Sequence, residues 1–190
     1  MIKIAILGST GSIGKTTLDI IRKNKKNFKV ILLSANSNIT KLFNQAVEFK
    51  VKNLVINRKL NKKWINILKK KKIKIRYDYE DLENIFKKKA DYVINSISSM
   101  NGLQPTLKII RHTNKIAIAN KESIICGWNL INKELSKHKT IFIPVDSEHF
   151  SIYELIKNQN IKNIKKIIIT ASGEPFLNKK NFRKIKIRDA

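Results

Sequence analysis

Short apolar runs alternate along the chain with longer stretches in which apolar residues recur at helical spacing. Runs at 2–7, 29–35, 53–57, 73–77, 91–95, 115–119, 140–145 and 165–170 are rich in Ile, Val and Leu and are short, which predicts strands. Leu18, Ile20 and Ile21 follow the first run at helical spacing. Leu42, Phe43, Ala46 and Val47 share one face of a helix over 40–50, and Leu60, Trp64, Ile67 and Leu68 share one over 60–72. Further helices are predicted over 81–89, over 102–112 with Pro105 near the first helical position, and around Phe150, Ile152, Leu155 and Ile156. Strands at this rhythm, separated by helices, specify an α/β fold in which a parallel sheet is covered on both faces. Ligands in such a sheet lie beyond the carboxyl ends of the strands, so the residues after each run carry the candidate chemistry.

The first of those ends reads Gly8-Ser9-Thr10-Gly11-Ser12-Ile13-Gly14-Lys15-Thr16. Glycines three apart let a phosphate approach the backbone and rest on the N–H groups and positive dipole end of the following helix. Gly14-Lys15-Thr16 matches the end of a P-loop, but that motif needs a glycine where this chain has Ser9. The spacing is a variant of the dinucleotide fingerprint, which makes the sheet a Rossmann-type doubly wound one. Any tight strand-to-helix turn can use glycine; strand, turn and helix in this order favour the binding reading. The second run decides the cofactor type. An NAD site places an acid there for the ribose 2′-hydroxyl, whereas this chain reads Ser34-Ala35-Asn36-Ser37-Asn38. Amides and hydroxyls suit a 2′-phosphate, with Lys41 and Arg58 as nearby charges, so NADP is expected over NAD. Asn36, Ser37 and Asn38 would serve equally as an ordinary turn and helix cap.

At 190 residues and 42% hydrophobic content the chain can bury one ordinary core and part of a second. A formal net charge of +26 points toward nucleic acid or an anionic membrane. Only six of the 40 basic residues are Arg, however, and bidentate phosphate recognition favours Arg. The excess of Lys travels with Asn and Ile, all encoded by A/T-rich codons. A lysine-coated surface without a specific nucleic-acid partner is therefore expected, and its field would still attract small anionic substrates. The single cysteine, Cys126, precludes an intramolecular disulfide and fits a reducing compartment; its helical, mostly apolar surroundings predict a core position. No run is long enough to span a membrane, and the turn beginning at Gly8 leaves no room for a leader, so a cytoplasmic protein is expected.

The later strand ends carry further candidates. The run at 115–119 leads into Asn120-Lys121-Glu122-Ser123, and the run at 140–145 into Asp146-Ser147-Glu148-His149. Asp146 and Glu148 are two apart, so in a continuing strand both carboxylates would point one way, as a hard divalent cation requires. The alternative is that Asp146 or Ser147 caps the next helix with Glu148 in its first turn, and spacing alone leans that way. His149 by itself reads as a packing or hydrogen-bonding residue. The last run leads into Ala171-Ser172-Gly173-Glu174-Pro175-Phe176, a small-residue turn that could present Ser172 to a phosphate or be only a turn.

Four segments, 8–14, 119–123, 144–149 and 170–176, together closely resemble the 1-deoxy-D-xylulose 5-phosphate reductoisomerases, and the resemblance covers essentially the whole chain. Pro144-Val145-Asp146-Ser147-Glu148-His149 is its most specific part. The resemblance implies an oxidoreductase dependent on NADPH and on Mn²⁺ or Mg²⁺. It would isomerise and reduce 1-deoxy-D-xylulose 5-phosphate to 2-C-methyl-D-erythritol 4-phosphate in non-mevalonate isoprenoid biosynthesis, as a homodimer when full length. It implies that Thr10, Gly11, Ser12, Ile13, Asn120 and Glu122 contact the cofactor, with Asn36, Ser37 and Asn38 at its adenosine end. Asp146 and Glu148 would bind the metal; Lys121, Ser147, Glu148 and Ser172 would contact the substrate, with Lys121 and Glu148 catalytic. Residues 1–145 would form an NADPH-binding Rossmann-type domain and 146–190 the beginning of an α+β catalytic domain.

Two departures stand out: Asn36-Ser37-Asn38 replaces a common Gly-Lys-Asn, and Glu174 stands where glycine is common. The chain stops at Ala190, roughly halfway through a typical member. The closing loop, the third metal carboxylate and the C-terminal helical domain are therefore expected beyond it, and the 190 residues alone are expected to be inactive. The alternatives are a basic nucleic-acid-binding protein and a different NADP-dependent Rossmann dehydrogenase that needs no metal.

Overall fold

The structure, a computed structural model, describes residues 1–168, and the chain divides into two units, Met1–Asp146 and Ser147–Ala190. In the first, strands β1 (Ile2–Leu7), β2 (Phe28–Ala35), β3 (Asn53–Ile56), β4 (Lys74–Arg76), β5 (Ala90–Asn95), β6 (Thr113–Ile118) and β7 (Ile141–Pro144) alternate with helices. These are α1 (Ser12–Lys23), α2 (Ile39–Glu48), α3 (Lys62–Lys70), α4 (Leu103–Ile110) and α5 (Lys121–His138). All seven strands lie in one parallel sheet of order β4-β3-β2-β1-β5-β6-β7. The chain winds outward from β1 to β4 and returns beside β1 as β5. That reversal is the switch point at which doubly wound sheets open a crevice.

The alternation of side chains along β1 builds a core on each face. Ile4 and Ile6 pack with Leu18 and Ile21 of α1, Leu42 and Ala46 of α2 and Leu68 of α3. Ala5 and Leu7 pack on the opposite face with Ile109 and Ile110 of α4 and Ile131 and Leu135 of α5. Fully burying each of these Leu and Ile side chains contributes about 1.5–3 kcal/mol, so the two cores hold all five helices on the sheet. One irregularity breaks the period: Ile4 pairs with Val30 but Ala5 with Leu32, leaving Ile31 as an extra residue. Ile31 and Leu32 consequently pack on the same face. Beyond this bulge Leu33 and Ala35 face α1 and α2, while the Ser34 hydroxyl meets Gly8 and Tyr79.

Three expectations are corrected. The helix over 81–89 is only a 3₁₀ turn, Leu82–Asn84, entered with Asp81 at φ 49°. This turn already seats Leu82 and Phe86 in the core, and Lys87, Lys88 and Lys89 offer no apolar face to repay further helix. Residues 165–168 form no strand, and the rest of that run lies outside the described residues. Cys126 is exposed rather than in the core. The buried stripe of α5 is Ser123, Gly127, Ile131 and Leu135, while Ile125, Trp128 and Leu130 are exposed apolar residues, so hydrophobicity alone did not mark the inner face. The second unit is described as helix α6 (Ser147–Ile156) and a 3₁₀ turn, Ile161–Asn163. Among the described residues no helix is long and apolar enough to cross a membrane.

His112, just before β6, is buried and stacked on Phe86 with 5.3 Å between ring centroids. Its Nε2 accepts from Arg111 Nε at 3.0 Å, which requires the neutral ring. Burial first, and then the Arg111 charge, hold its pKa below the ordinary 6.5, with Glu83 acting in the opposite direction. The unfolded chain therefore binds the proton more readily. The resulting stabilisation is complete above the unfolded value and is lost as pH falls through the folded one. Between about pH 7 and pH 5 the melting temperature of the unmodified chain should fall further than that of His112→Leu; parallel slopes would refute this assignment.

Candidate dinucleotide site

The turn after β1 leaves the sheet through Gly8, whose φ of 78° is a left-handed conformation that glycine tolerates. A Cβ there would lie 2.8 Å from Ser96 O, because the ends of β1 and β5 meet at this point. Ser96 Oγ closes the junction by donating to Leu7 O at 2.7 Å and to Gly8 O at 3.2 Å. Gly14 also has an internal reason, since its Cβ would come within 2.5 Å of the Gly8 and Ser9 backbone.

Gly11 differs. Its φ of −73° suits any residue, and a Cβ would meet only Gly8 O at 3.4 Å. Among the described residues nothing demands glycine at this position, so the open space above it fits close approach by a ligand. Gly11 is also the N-cap of α1 and carries no capping side chain, whereas α2, α3 and α5 are capped by Asn38, Asn61 and Asn120. The first N–H groups of α1 are thus left for an anion, and the first turn holds no acid to repel one.

A cavity of about 240 Å³ opens beside this turn. It is lined by Ile13, by residues 96–99 after β5, by Ala119, Asn120, Lys121 and Glu122 after β6, and by Asp146 after β7. The fold therefore gathers Ile13, Asn120, Lys121, Glu122 and Asp146 from three distant stretches of sequence. Thr10, Gly11 and Ser12 lie in the adjoining turn and helix start.

Asn120 is internally committed: its Oδ1 accepts from Ser123 N at 2.9 Å and its amide donates to Ile97 O. Its contribution is to cap α5 and hold the loop after β5. Asn95 shapes the same loop, donating to Gly102 O at 2.9 Å and Thr106 Oγ1 at 2.6 Å and accepting from Ile97 N at 3.1 Å. Ser96, Ile97, Ser98 and Ser99 were not singled out from sequence. The signal available was Asn95-Ser96-Ile97-Ser98-Ser99, a cluster of small polar residues at a strand end, and Ser99 adopts a left-handed φ of 58°.

Asn36, Ser37 and Asn38 are exposed at the end of β2, where Asn38 Oδ1 is occupied by its cap bond from Lys41 N at 3.0 Å. Lys41 has its pKa lowered by contact with Lys15, so two ammonium groups, from α1 and α2, meet near this end of the sheet. In the second unit Ser147 Oγ donates to Glu148 Oε2 at 2.6 Å within the first turn of α6. Among the described residues no group of three or more His, Cys, Asp or Glu side chains could hold a metal. Ser172 lies outside the described residues.

A seven-stranded doubly wound sheet with an uncapped glycine turn at its switch point defines a Rossmann-type protein of the dinucleotide-binding class. Within that class the chain belongs to the 1-deoxy-D-xylulose 5-phosphate reductoisomerase family. The family's profile matches residues 4–127, and that of its C-terminal domain matches residues 142–190. The reductoisomerase of Pelagibacter ubique (strain HTCC1062) is 52% identical over 100% of this chain and 50% of its own length. The Zymomonas mobilis reductoisomerase, solved in complex with NADPH, is 34% identical with a TM-score of 0.78, covering 94% of this chain and 47% of that one. Another reductoisomerase, solved with fosmidomycin and magnesium, is 32% identical with a TM-score of 0.77 over 94% of this chain and 48% of that one. The chain spans about half the length of the curated relatives it matches.

The three glycines are expected to separate in a stability measurement. Gly8→Ala should lose about 1–3 kcal/mol through strain, and Gly14→Ala a similar amount through overpacking, whereas Gly11→Ala should stay within about 0.5 kcal/mol of the original. Urea denaturation of the three variants checks this, and a Gly11→Ala variant as unstable as Gly8→Ala would remove the argument that its space is kept for a ligand.

Proposed function

We propose that a protein containing this chain converts 1-deoxy-D-xylulose 5-phosphate to 2-C-methyl-D-erythritol 4-phosphate with NADPH and Mg²⁺ or Mn²⁺. The observation that carries this reading is the cavity that joins the α1 turn to Asn120, Lys121, Glu122 and Asp146. Relatives solved with NADPH and with magnesium support the choice of cofactors. Family membership does not favour the nucleic-acid or other-dehydrogenase alternatives. On this reading residues 1–145 are the NADPH-binding domain, 146–190 belong to the catalytic domain, and the complete protein is a cytoplasmic homodimer.

When bound, NADPH supplies hydride and the cation supplies Lewis acidity. The chain's own groups bind and orient. The N–H groups at Ser12 and Ile13 receive the pyrophosphate as it passes close over Gly11, with the Thr10 and Ser12 hydroxyls beside it. Ile13, 46% exposed, offers the cofactor an apolar surface. The amides and hydroxyl of Asn36, Ser37 and Asn38 face the 2′-phosphate. Asn120 keeps the far wall in place and Glu122 lines it.

Asp146 and Glu148 are hard oxygen donors that fit Mg²⁺ or Mn²⁺, with the other positions of a six-oxygen shell left to further ligands. Ser147 orients the Glu148 carboxylate through its hydrogen bond. Lys121, in the first turn of α5, brings a positive charge to the cavity where the substrate's oxygens would lie, and Ser172 would meet the substrate phosphate.

Calorimetric titration of the chain should give tighter binding of NADPH than of NADH, by about tenfold or more, because no carboxylate stands at the end of β2. Equal affinities would count against the roles of Asn36, Ser37 and Asn38. Gly11→Val should weaken both nucleotides by obstructing the approach to the turn. For the metal, residues 1–190 joined to the C-terminal half of the Pelagibacter ubique relative would be assayed by NADPH oxidation. Asp146→Asn should lower metal-dependent turnover by about 100-fold or more while leaving NADPH affinity nearly unchanged, and full activity would overturn the ligand assignment.

A further inference from the structure

The glycine turn is gripped by side chains that do not line the cavity. Ser9 is fully buried; its hydroxyl donates to Gln45 Oε1 at 2.7 Å, and Gln45 Nε2 donates back to Ser9 O at 2.9 Å. The Ser9 N–H donates to Ser34 O at 2.8 Å, and the Gly8 N–H to Ser34 Oγ at 3.0 Å. The Tyr79 hydroxyl in turn donates to Ser34 Oγ at 2.7 Å. Gln45 belongs to α2, Ser34 is the last residue but one of β2, and Tyr79 stands in the segment between β4 and β5, so three parts of the fold converge on two residues of the turn, Tyr79 through Ser34.

The peptide plane gives this grip a direction. A trans peptide holds the carbonyl of one residue antiparallel to the N–H of the next. Gln45, buried with both ends of its amide used, fixes the Ser9 carbonyl inward and thereby aims the Thr10 N–H outward. Among the described residues no group of the chain accepts from that N–H. The same logic applies one residue earlier, where the Gly8 carbonyl accepts from Gly11 N at 3.1 Å and the Ser9 N–H turns to Ser34. Each buried partner is costly to leave unmade, so the turn has one arrangement that satisfies all of them.

We propose that Gln45 and Tyr79 are positioning residues that preset the Gly8 to Gly11 backbone for a dinucleotide pyrophosphate. The proposal rests on the NADPH reading above and deepens it. Gln45 acts through Ser9, and Tyr79 acts through Ser34. The Tyr79 phenol, with its pKa pushed up to about 12 by burial, is protonated and able to donate across the physiological range. Positioning of this kind strengthens binding by removing the ordering that a loose turn would undergo on contact with the ligand.

The test uses the 190-residue chain, Gln45→Met and Tyr79→Phe, with melting temperatures to establish that each variant is folded. Dissociation constants are measured for NADPH and, by NMR titration, for adenosine 2′-monophosphate, which carries the 2′-phosphate end without the pyrophosphate. NADPH should bind about tenfold more weakly to Gln45→Met and about threefold more weakly to Tyr79→Phe, with adenosine 2′-monophosphate within about twofold of the original. If Gln45→Met does not fold, Tyr79→Phe, which loses a single hydroxyl, decides the matter by the same criterion. Unchanged NADPH affinity in a folded variant overturns the proposal, as does equal weakening of both ligands, which signals general loosening. Failure of the unmodified chain to bind NADPH at all would overturn the cofactor reading and the proposal with it.

Discussion

The contact between the ends of β1 and β5 is the constraint from which the rest of the molecule follows. Two parallel strands adjacent in space but 88 residues apart meet where Ser96 Oγ reaches Gly8 O, and the backbone there leaves no room for a Cβ. Gly8 must then take a left-handed turn, which throws the chain off the sheet and into α1. On one side of this junction the chain runs to β4, and on the other to β7, so the crevice opens at the same place. The position of α1 and the cavity beside it are consequences of this close approach.

Buried polar groups, rather than the apolar core, give the site its detail. The sheet faces are filled by Ile, Leu and Val, which are tolerant of modest repacking. The loops around the cavity are instead held by Asn95, Asn120, Ser34, Gln45 and Ser9, each with directed hydrogen bonds and little exposure. A misdirected donor in such surroundings loses its partner outright, which restricts each loop to one conformation. Asn120 illustrates the economy: one side chain caps α5 and pins the loop after β5, so the helix that presents Lys121 and Glu122 and the opposite wall of the cavity are positioned together.

The β2 bulge connects the two levels. By inserting Ile31 it keeps Ile31 and Leu32 in the same core and turns Ser34 toward Tyr79 and Gly8. A strictly alternating strand would exchange the faces of every residue beyond Val30. The glycine turn thus depends on a local irregularity in a neighbouring strand whose composition gives no sign of it.

Local chemistry was enough to read the seven strands of the sheet, their alternation with helices and the position of the glycine turn. Strand periodicity, glycine spacing and the absence of an acid after β2 are properties of neighbouring residues, and they need no knowledge of distant ones. Where segments are short or apolar all round, local pattern had less to say. The stretch over 81–89 had helical spacing but folded only as far as its two anchors required, and α5 was apolar enough on its outer side to conceal that Cys126 faces away from the core. Residues 96–99, the Ser9–Gln45 pair, the Tyr79 bond and the double use of Asn120 were legible only in three dimensions. The long-range partners of these groups lie between 23 and 89 residues away in the chain, and which of many buried donors meets which acceptor is decided by how the strands stack, not by any spacing along the sequence.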